Sequence, residues 1–257
     1  MTHAQPRKHP NVRQSTDAYL EAIHVWLKHQ ERDGVQGTFL CNWRLTATAH
    51  EDGGLLVYVH PQTEEPLGYQ WGGLVTSGIL EIRNDMRGRG IGRALVEHCL
   101  ALAAEDGNDI LSIQCKPRSS IRFWKAMGFQ LLGDRPPEEQ ENHAYRVMPR
   151  KHDLPEGDGT AQVTIEWFPQ ERMHDASVPA VSAQSVQGVW FGDELELTER
   201  ASFCLDLVKK DVVVRVVVDG QEWYCGKAKH DGAENTGVQR CKNGFCVDAL
   251  WRVPEQE

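Results

Sequence analysis

"LEIRNDMRGRGIGRAL" occupies residues 80–95 and decides how the chain reads. It places a strand-like apolar run first, then three glycines at every second position among four arginines, then a helical pattern. Glycines at turn positions let a backbone approach a ligand closely and let successive N–H groups point the same way. When such a turn opens a helix, the unpaired first-turn N–H groups and the helix dipole favour a bound anion. Arginine adds charge-assisted hydrogen bonds suited to phosphate oxygens. The stretch therefore reads as a cradle for a polyanionic small molecule. Gly88-x-Gly90-x-Gly92 lacks the spacing of the dinucleotide fingerprint, and no Gly-Lys-Ser/Thr follows to make a nucleotide P-loop.

The cradle is a local exception. The 257-residue chain carries a net charge of −9, whereas Arg83, Arg87, Arg89 and Arg93 face only Asp85 within residues 82–93. Residues 1–160 hold 18 Lys and Arg against 21 Asp and Glu; residues 161–257 hold 10 against 16. Neither part has the basic balance of a nucleic-acid binder. The opening "MTHAQPRKHPNVRQ" has no apolar run of the kind a signal peptide needs. No stretch approaches the roughly 18 apolar residues that span a bilayer. Seven scattered cysteines suit a reducing compartment, so a cytoplasmic protein with no membrane or nucleic-acid partner is expected.

Around the cradle, periodicity predicts helices over 15–34, 91–107 and 119–129, while 37–54 fits a second short helix better than a strand. It predicts strands over 54–60, 66–74, 77–84 and 109–116, with "FQLLG" and 142–150 closing the unit. Ser119 and Ser120 stand where helix-capping serines belong. The charged, Pro- and Gly-rich stretch 153–160 reads as a linker after a domain of residues 1–152. Residues 161–257 read as short strands, with Asp219-Gly220 and Asn243-Gly244 as two-residue hairpin turns. The expected fold is thus α/β in the N-terminal domain, with a second, smaller, mainly-β domain.

"LEIRNDMRGRGIGRAL" resembles the acetyl-CoA signature of the GNAT-type N-acetyltransferase superfamily, in which a hydrophobic strand precedes Arg/Gln-x-x-Gly-x-Gly/Ala and a helix. Arg87, Gly90 and Gly92 match that pattern. "FWKAMGF" (123–129) is similar to the family's second signature, a short helix ending Phe-Tyr-x-x-x-Gly-Phe. The two motifs stand in the family's order with a strand between them, and the resemblance covers about residues 15–150. It implies a GNAT-like mixed sheet and acetyl-CoA as co-substrate, with no metal. It implies that Ile82 and its neighbours pair with the pantetheine arm and that the N–H groups of Gly88, Arg89, Gly90, Ile91 and Gly92 hold the pyrophosphate. It also implies Arg87, Arg89 and Arg93 as candidate phosphate or 3′-phosphate partners, with Ser120 and Trp124 as further candidate cofactor contacts. An amine then attacks the thioester directly.

The chain departs from the family at two places. Trp124 stands where a tyrosine commonly protonates the departing thiolate, and an indole N–H is far too weak an acid for that. Pro117 replaces an asparagine just before the helix. Water, Ser119, Ser120 or Tyr145 are the remaining donors, and Glu81, on the strand before the cradle, is the candidate general base. His50, His60 and His98 qualify by chemistry alone. Trp124 also leaves open a non-catalytic acyl-CoA-binding or interaction module, and the anion site alone would equally suit a nucleotide-binding regulator. The acceptor is a small-molecule or peptide amine, and the acidic chain draws attention to polyamines, aminoglycosides and lysine-rich peptides.

Cys204, Cys225, Cys241 and Cys246 lack the paired spacing of a zinc site. A two-residue turn at Asn243-Gly244 would set Cys241 opposite Cys246, with Cα atoms roughly 4.5 Å apart, near the lower limit for a disulfide. Adjacent reduced thiols are expected there. Residues 161–257 could cover the groove, mediate a homodimer or bind the acceptor's carrier.

Overall fold

A computed structural model describes residues 7–75, 78–132, 143–208 and 211–252. Ser77, Gly133 and Asn142, at the ends of expected strands, lie outside them. The chain forms two compact units, the first made essentially of residues up to Arg146 and the second beginning at Val147.

The first unit is an α/β fold. Its elements are β1 (Val12–Gln14), α1 (Asp17–Arg32), α2 (Trp43–Glu51), β2 (Leu56–Val59), β3 (Pro66–Trp71), β4 (Ile79–Ile82), α3 (Ile91–Glu105), β5 (Ile110–Gln114), α4 (Ile121–Ala126), β6 (Gln130–Leu131) and β7 (His143–Val147). β1 to β4 form an antiparallel sheet in sequence order; β5, β7 and β6 form a second. Thr16 starts α1 by accepting the Tyr19 N–H. Ile23, Trp26, Leu27 and Gln30 then recur at helical spacing and are buried. α1 and α2 cover one face of the first sheet through Ile23, Leu27, Leu55, Val57, Tyr69 and Ile79. α3 covers the other through Ile91 and Leu95, packed with Val12, Leu67, Leu80 and Ile82.

The second unit is a seven-stranded antiparallel sheet, ordered β12-β11-β8-β9-β10-β14-β13. Its elements are β8 (Thr160–Pro169), β9 (Ser182–Phe191), β10 (Glu194–Cys204), β11 (Val212–Val218), β12 (Gln221–Lys227), α5 (Asp231–Thr236), β13 (Gln239–Cys241) and β14 (Gly244–Trp251). Alternate apolar residues such as Val163, Ile165, Trp167, Leu195, Leu197, Val214 and Val216 turn to one core, which Ala233 of α5 joins. The stretch 153–160 is hydrogen-bonded along this unit: Asp158 N–H donates to Trp190 C=O, and Trp190 N–H to Gly159 C=O.

Several expectations are corrected. The strand over 66–74 stops at Trp71, because Gly72 and Gly73 turn the chain with positive φ. The helix over 119–129 begins at Ile121 after a tight turn over Arg118–Ser120, and Ser120 makes no capping hydrogen bond. Asp219 and Gly220 do form their hairpin turn, both with positive φ. Asn243-Gly244 does not. Gly244 belongs to β14, paired with Cys241 on one side and Cys204 on the other, so Lys242 and Asn243 make the turn. Cys246 therefore faces Gln239 rather than Cys241. It lies two residues beyond the partner of Cys241 on the same face, so the two side chains are still diagonal neighbours. All seven cysteines are free thiols.

Candidate functional site

β4 ends one sheet and β5 ends the other. Beside them opens a cavity of about 690 Å³, bordered by β4, by Ile113 and Gln114 of β5, by the start of α3, by α4 and by residues 36–42. The slot follows from topology: the chain leaves β4, forms α3, and returns as a strand of the other sheet.

At one end of the cavity lies the glycine-arginine turn. Gly88 and Gly90 adopt φ of +76° and +83°, and a Cβ at either would meet nothing within 4 Å. Both therefore serve backbone conformation rather than close packing. The N–H groups of residues 88–92 donate to no acceptor among the described residues, while Ala94 N–H begins the helical ladder at Gly90 C=O. Five successive amides at the mouth of α3 are available to an anion. Gly92 lies beneath the Phe123 ring, where an added Cβ would come within 3.4 Å, so α3 and α4 meet closely at the cavity wall.

The four arginines divide. Arg83 is mostly buried and clamped to Asp85, at 2.8 Å, and to Glu65, so its charge is already used. Arg87 lines the cavity and donates from Nε to Ile82 C=O at 3.3 Å. Arg93 also lines it, with Glu97 3.6 Å away on the exposed face of α3. Arg89 is exposed and is not part of the lining.

Glu81 borders the same cavity and is only 3 % exposed. Alternation along β4 turns Glu81 with Ile79 toward α1, opposite to Leu80 and Ile82. Its Oε2 accepts the Tyr69 hydroxyl at 2.9 Å and the Phe39 N–H at 3.1 Å, while Oε1 is buried with no hydrogen-bond partner. Burial pushes the carboxyl above its ordinary range, against the opposing pull of Tyr69, Phe39 and the Arg87 charge. Tyr69 is held neutral by burial and by the Glu81 charge.

Ser119, Ser120 and Trp124 line the wall near α4. The Ser120 hydroxyl is buried without a partner, and Trp124 is packed edge-on against Phe123 and Phe129. The turn thus brings Ile82, Arg87, Gly88, Gly90, Ile91, Gly92, Arg93, Glu81, Ser119, Ser120 and Trp124 around one cavity. Tyr145 is not among them: on β7, its hydroxyl donates to Gln130 Oε1 at 3.2 Å. His98 sits instead under the N-terminal segment, its Nδ1 accepting the His9 N–H at 3.1 Å. Phe39, Tyr69 and Lys116 escaped sequence reading. They reach the site through contacts between distant elements, for which no local pattern exists.

Among the described residues no group of three or more His, Cys, Asp or Glu side chains is placed to hold a metal. None of the helices there is long and apolar enough to cross a membrane.

Comparison with known proteins adds the family. No curated protein matches the chain. Solved structures similar to it include a GNAT-family acetyltransferase from Staphylococcus aureus Mu50, at 16 % identity over 54 % of this chain and 98 % of that one, TM-score 0.42. A Mycobacterium tuberculosis protein in complex with CoA is similar at 16 % identity, over 54 % and 99 %, TM-score 0.42. An Escherichia coli GNAT-family N-acetyltransferase in complex with CoA is similar at 18 % identity, over 56 % and 84 %, TM-score 0.41. The sequence model of the acetyltransferase (GNAT) family matches residues 16–129, which include both glycine-bearing motifs and Glu81. Residues 16–129 of this chain are therefore a domain of the GNAT acetyltransferase family.

Proposed function

We propose that the protein moves an acetyl group from acetyl-CoA to a primary amine by direct attack in a ternary complex. One observation carries this reading: five amides without protein acceptors, at the mouth of α3, open on a cavity whose wall includes a buried carboxylate. The residues fit the nucleotide. The amides of Gly88 to Gly92 hold the pyrophosphate, Arg87 and Arg93 add charge, and Arg89 meets the outer phosphate from the surface. Backbone groups of β4 near Ile82 align the pantetheine arm, with Ser120 and Trp124 along its other side. Bound acetyl-CoA supplies an activated thioester.

Glu81 takes a proton from the ammonium group of the acceptor, a role for which a carboxyl raised by burial is suited. The neutral amine attacks the acyl carbon; the C–N bond forms and the C–S bond breaks. The proton that the attacking nitrogen then loses passes through the Ser119 or Ser120 hydroxyl, or through water, to the departing thiolate, a relay that the donor-only indole of Trp124 cannot provide. Tyr145 has no part in this reading, its hydroxyl being engaged with Gln130.

Calorimetry with CoA and thiol release with a panel of amines test the reading. Absence of heat with CoA and its thioesters removes it. Trp124 in place of an acid favours one competitor, a domain that binds acyl-CoA without turning it over; tight binding with no thiol release from any amine selects that alternative. Free cysteines throughout support a cytoplasmic setting, and the sheet-rich second unit supports a two-domain protein in which residues 161–257 serve a separate task.

A further inference from the structure

A second cavity, of about 590 Å³, lies beside α1 and the residues that follow β4, and it shares no lining residue with the first. Trp26 and Gln30 of α1 border it, and each is only 8 % exposed. Spaced i and i+4 on one helix, they present their side chains from one face, a turn apart. The Gln30 amide has a settled orientation, because its Oε1 accepts the Asn84 N–H at 2.6 Å. Its Nε2 is therefore the donor end. Neither that amino group nor the Trp26 indole N–H has an acceptor among the described residues. Two neighbouring buried donors are thus unmet, a state that carries a free-energy cost until an acceptor arrives.

The remaining lining narrows what that acceptor belongs to. Asp33, Glu65 and Asp85 border the cavity together with Arg83 and His29, and Arg83 is already held by Asp85 and Glu65. A carboxylate would enter among three like charges. A carbonyl oxygen meets no such repulsion, and a carboxamide adds N–H groups for which those carboxylates are acceptors. Val25, 43 % exposed, and Pro66 offer apolar surface to the rest of a ligand. The volume lies in the range of small-molecule sites.

We infer that this cavity is a second ligand site of the domain, for a small uncharged carboxamide whose carbonyl oxygen accepts from Trp26 Nε1 and Gln30 Nε2 and whose apolar body covers Val25. The site does not depend on acetyl transfer. It is nevertheless joined to the anion cradle, since the Asn84 N–H that orients Gln30 belongs to the short turn leading from β4 into Arg87.

Benzamide is the test ligand, and benzoate, with the same ring and a carboxylate in place of the amide, is its control. Each is titrated at neutral pH into the isotope-labelled full-length protein and followed by two-dimensional N–H correlation spectra. The indole signal that disappears in Trp26→Phe identifies the reporter. Benzamide is expected to shift that signal saturably, with or without CoA present, and to bind at least about fivefold more tightly than benzoate. Gln30→Met removes one donor and should weaken benzamide by about fivefold. Val25→Phe, an exposed position on α1, fills the cavity while keeping both donors, and should abolish the shift with the spectrum unchanged away from α1. A Trp26 signal that ignores benzamide leaves the donors to water alone and overturns the inference. So does a response matched by benzoate, one abolished by CoA (which would put the amide in the first cavity), or one that survives both Gln30→Met and Val25→Phe.

Discussion

Tyr69 and Glu81 stand directly opposite each other on β3 and β4, and the phenol donates to the carboxylate across 2.9 Å. Tyr69 packs among Trp26, Leu27 and Ile79, while Glu81 is buried at the cavity wall, where a charge is costly and a hydrogen bond to it matters. Burial raises the pKa of Glu81 and the Tyr69 bond opposes that rise. The acid limb of the pH–rate profile is accordingly expected above the ordinary carboxylate range. Tyr69→Phe, which removes a donor to the charged form, should move that limb to still higher pH. It should also cost about 1–3 kcal/mol of stability in denaturant melts. A limb left in place by this change would separate Glu81 from the rate.

Glu81→Gln should lower kcat by about 10²–10⁴-fold, the usual worth of a positioned base, with CoA affinity retained. The raised pKa fixes the sign of a second effect. A carboxyl whose folded pKa lies above its unfolded value favours the fold most when protonated, and that contribution is lost as pH rises through the folded pKa. The glutamine variant should therefore be at least as stable as the unaltered protein at neutral pH, by thermal melting, while losing activity.

Arg87 and Arg83 make a matched pair of tests. Arg87→Ala removes a cavity cation and should weaken CoA binding by roughly tenfold or more, the worth of a charge-assisted hydrogen bond. Arg83 is occupied by Asp85 and Glu65, so Arg83→Ala should cost about 0–1 kcal/mol of stability and leave the CoA dissociation constant within about twofold. Calorimetry on both variants reads the difference.

Gly90→Ala meets open space, yet its φ of +83° lies in the left-handed region. The expected cost is about 1–2 kcal/mol, expressed either as lost stability or as a relaxed turn that no longer aligns the amides. Weaker CoA binding with an unchanged circular dichroism spectrum is the outcome that ties the conformation to the ligand.

His98 couples the N-terminal segment to α3 by accepting the His9 N–H. Burial lowers its pKa, so the fold favours the neutral ring. Stability is complete above the ordinary histidine range and falls as acidification passes through it toward the lower folded value. His98→Leu should flatten the loss of melting temperature between pH 7.5 and 5.5 (conditions chosen to bracket the histidine range). An unchanged slope would assign that loss to other groups.

Much of this architecture was legible because it is local. Gly88, Gly90 and Gly92 announce the turn and Asp219-Gly220 a hairpin, each through chemistry confined to a few residues. β9 was not legible: Ser182, Ala183, Gln184, Ser185 and Gln187 give it little apolar alternation, and it is a strand because β8 and β10 flank it. α5, written in Asp, Gly, Glu, Asn and Thr, reads as a loop and is fixed by Ala233 entering the core. The register at Gly244 was misread because pairing with Cys204 on β10 outweighs the local turn preference. The same division runs through the site. The anion cradle is a motif, whereas the partners of Glu81 come from residues 12 and 42 positions away.

The slot between β4 and β5 has a consequence for breathing. A molecule lodged there fastens two sheets that otherwise meet only through what the chain itself supplies, and it binds the folded state alone. Saturating CoA should raise the melting temperature in proportion to the logarithm of its concentration. Amide hydrogen exchange should slow along both strands and across residues 88–92, while β8 to β14 keep their own exchange rates.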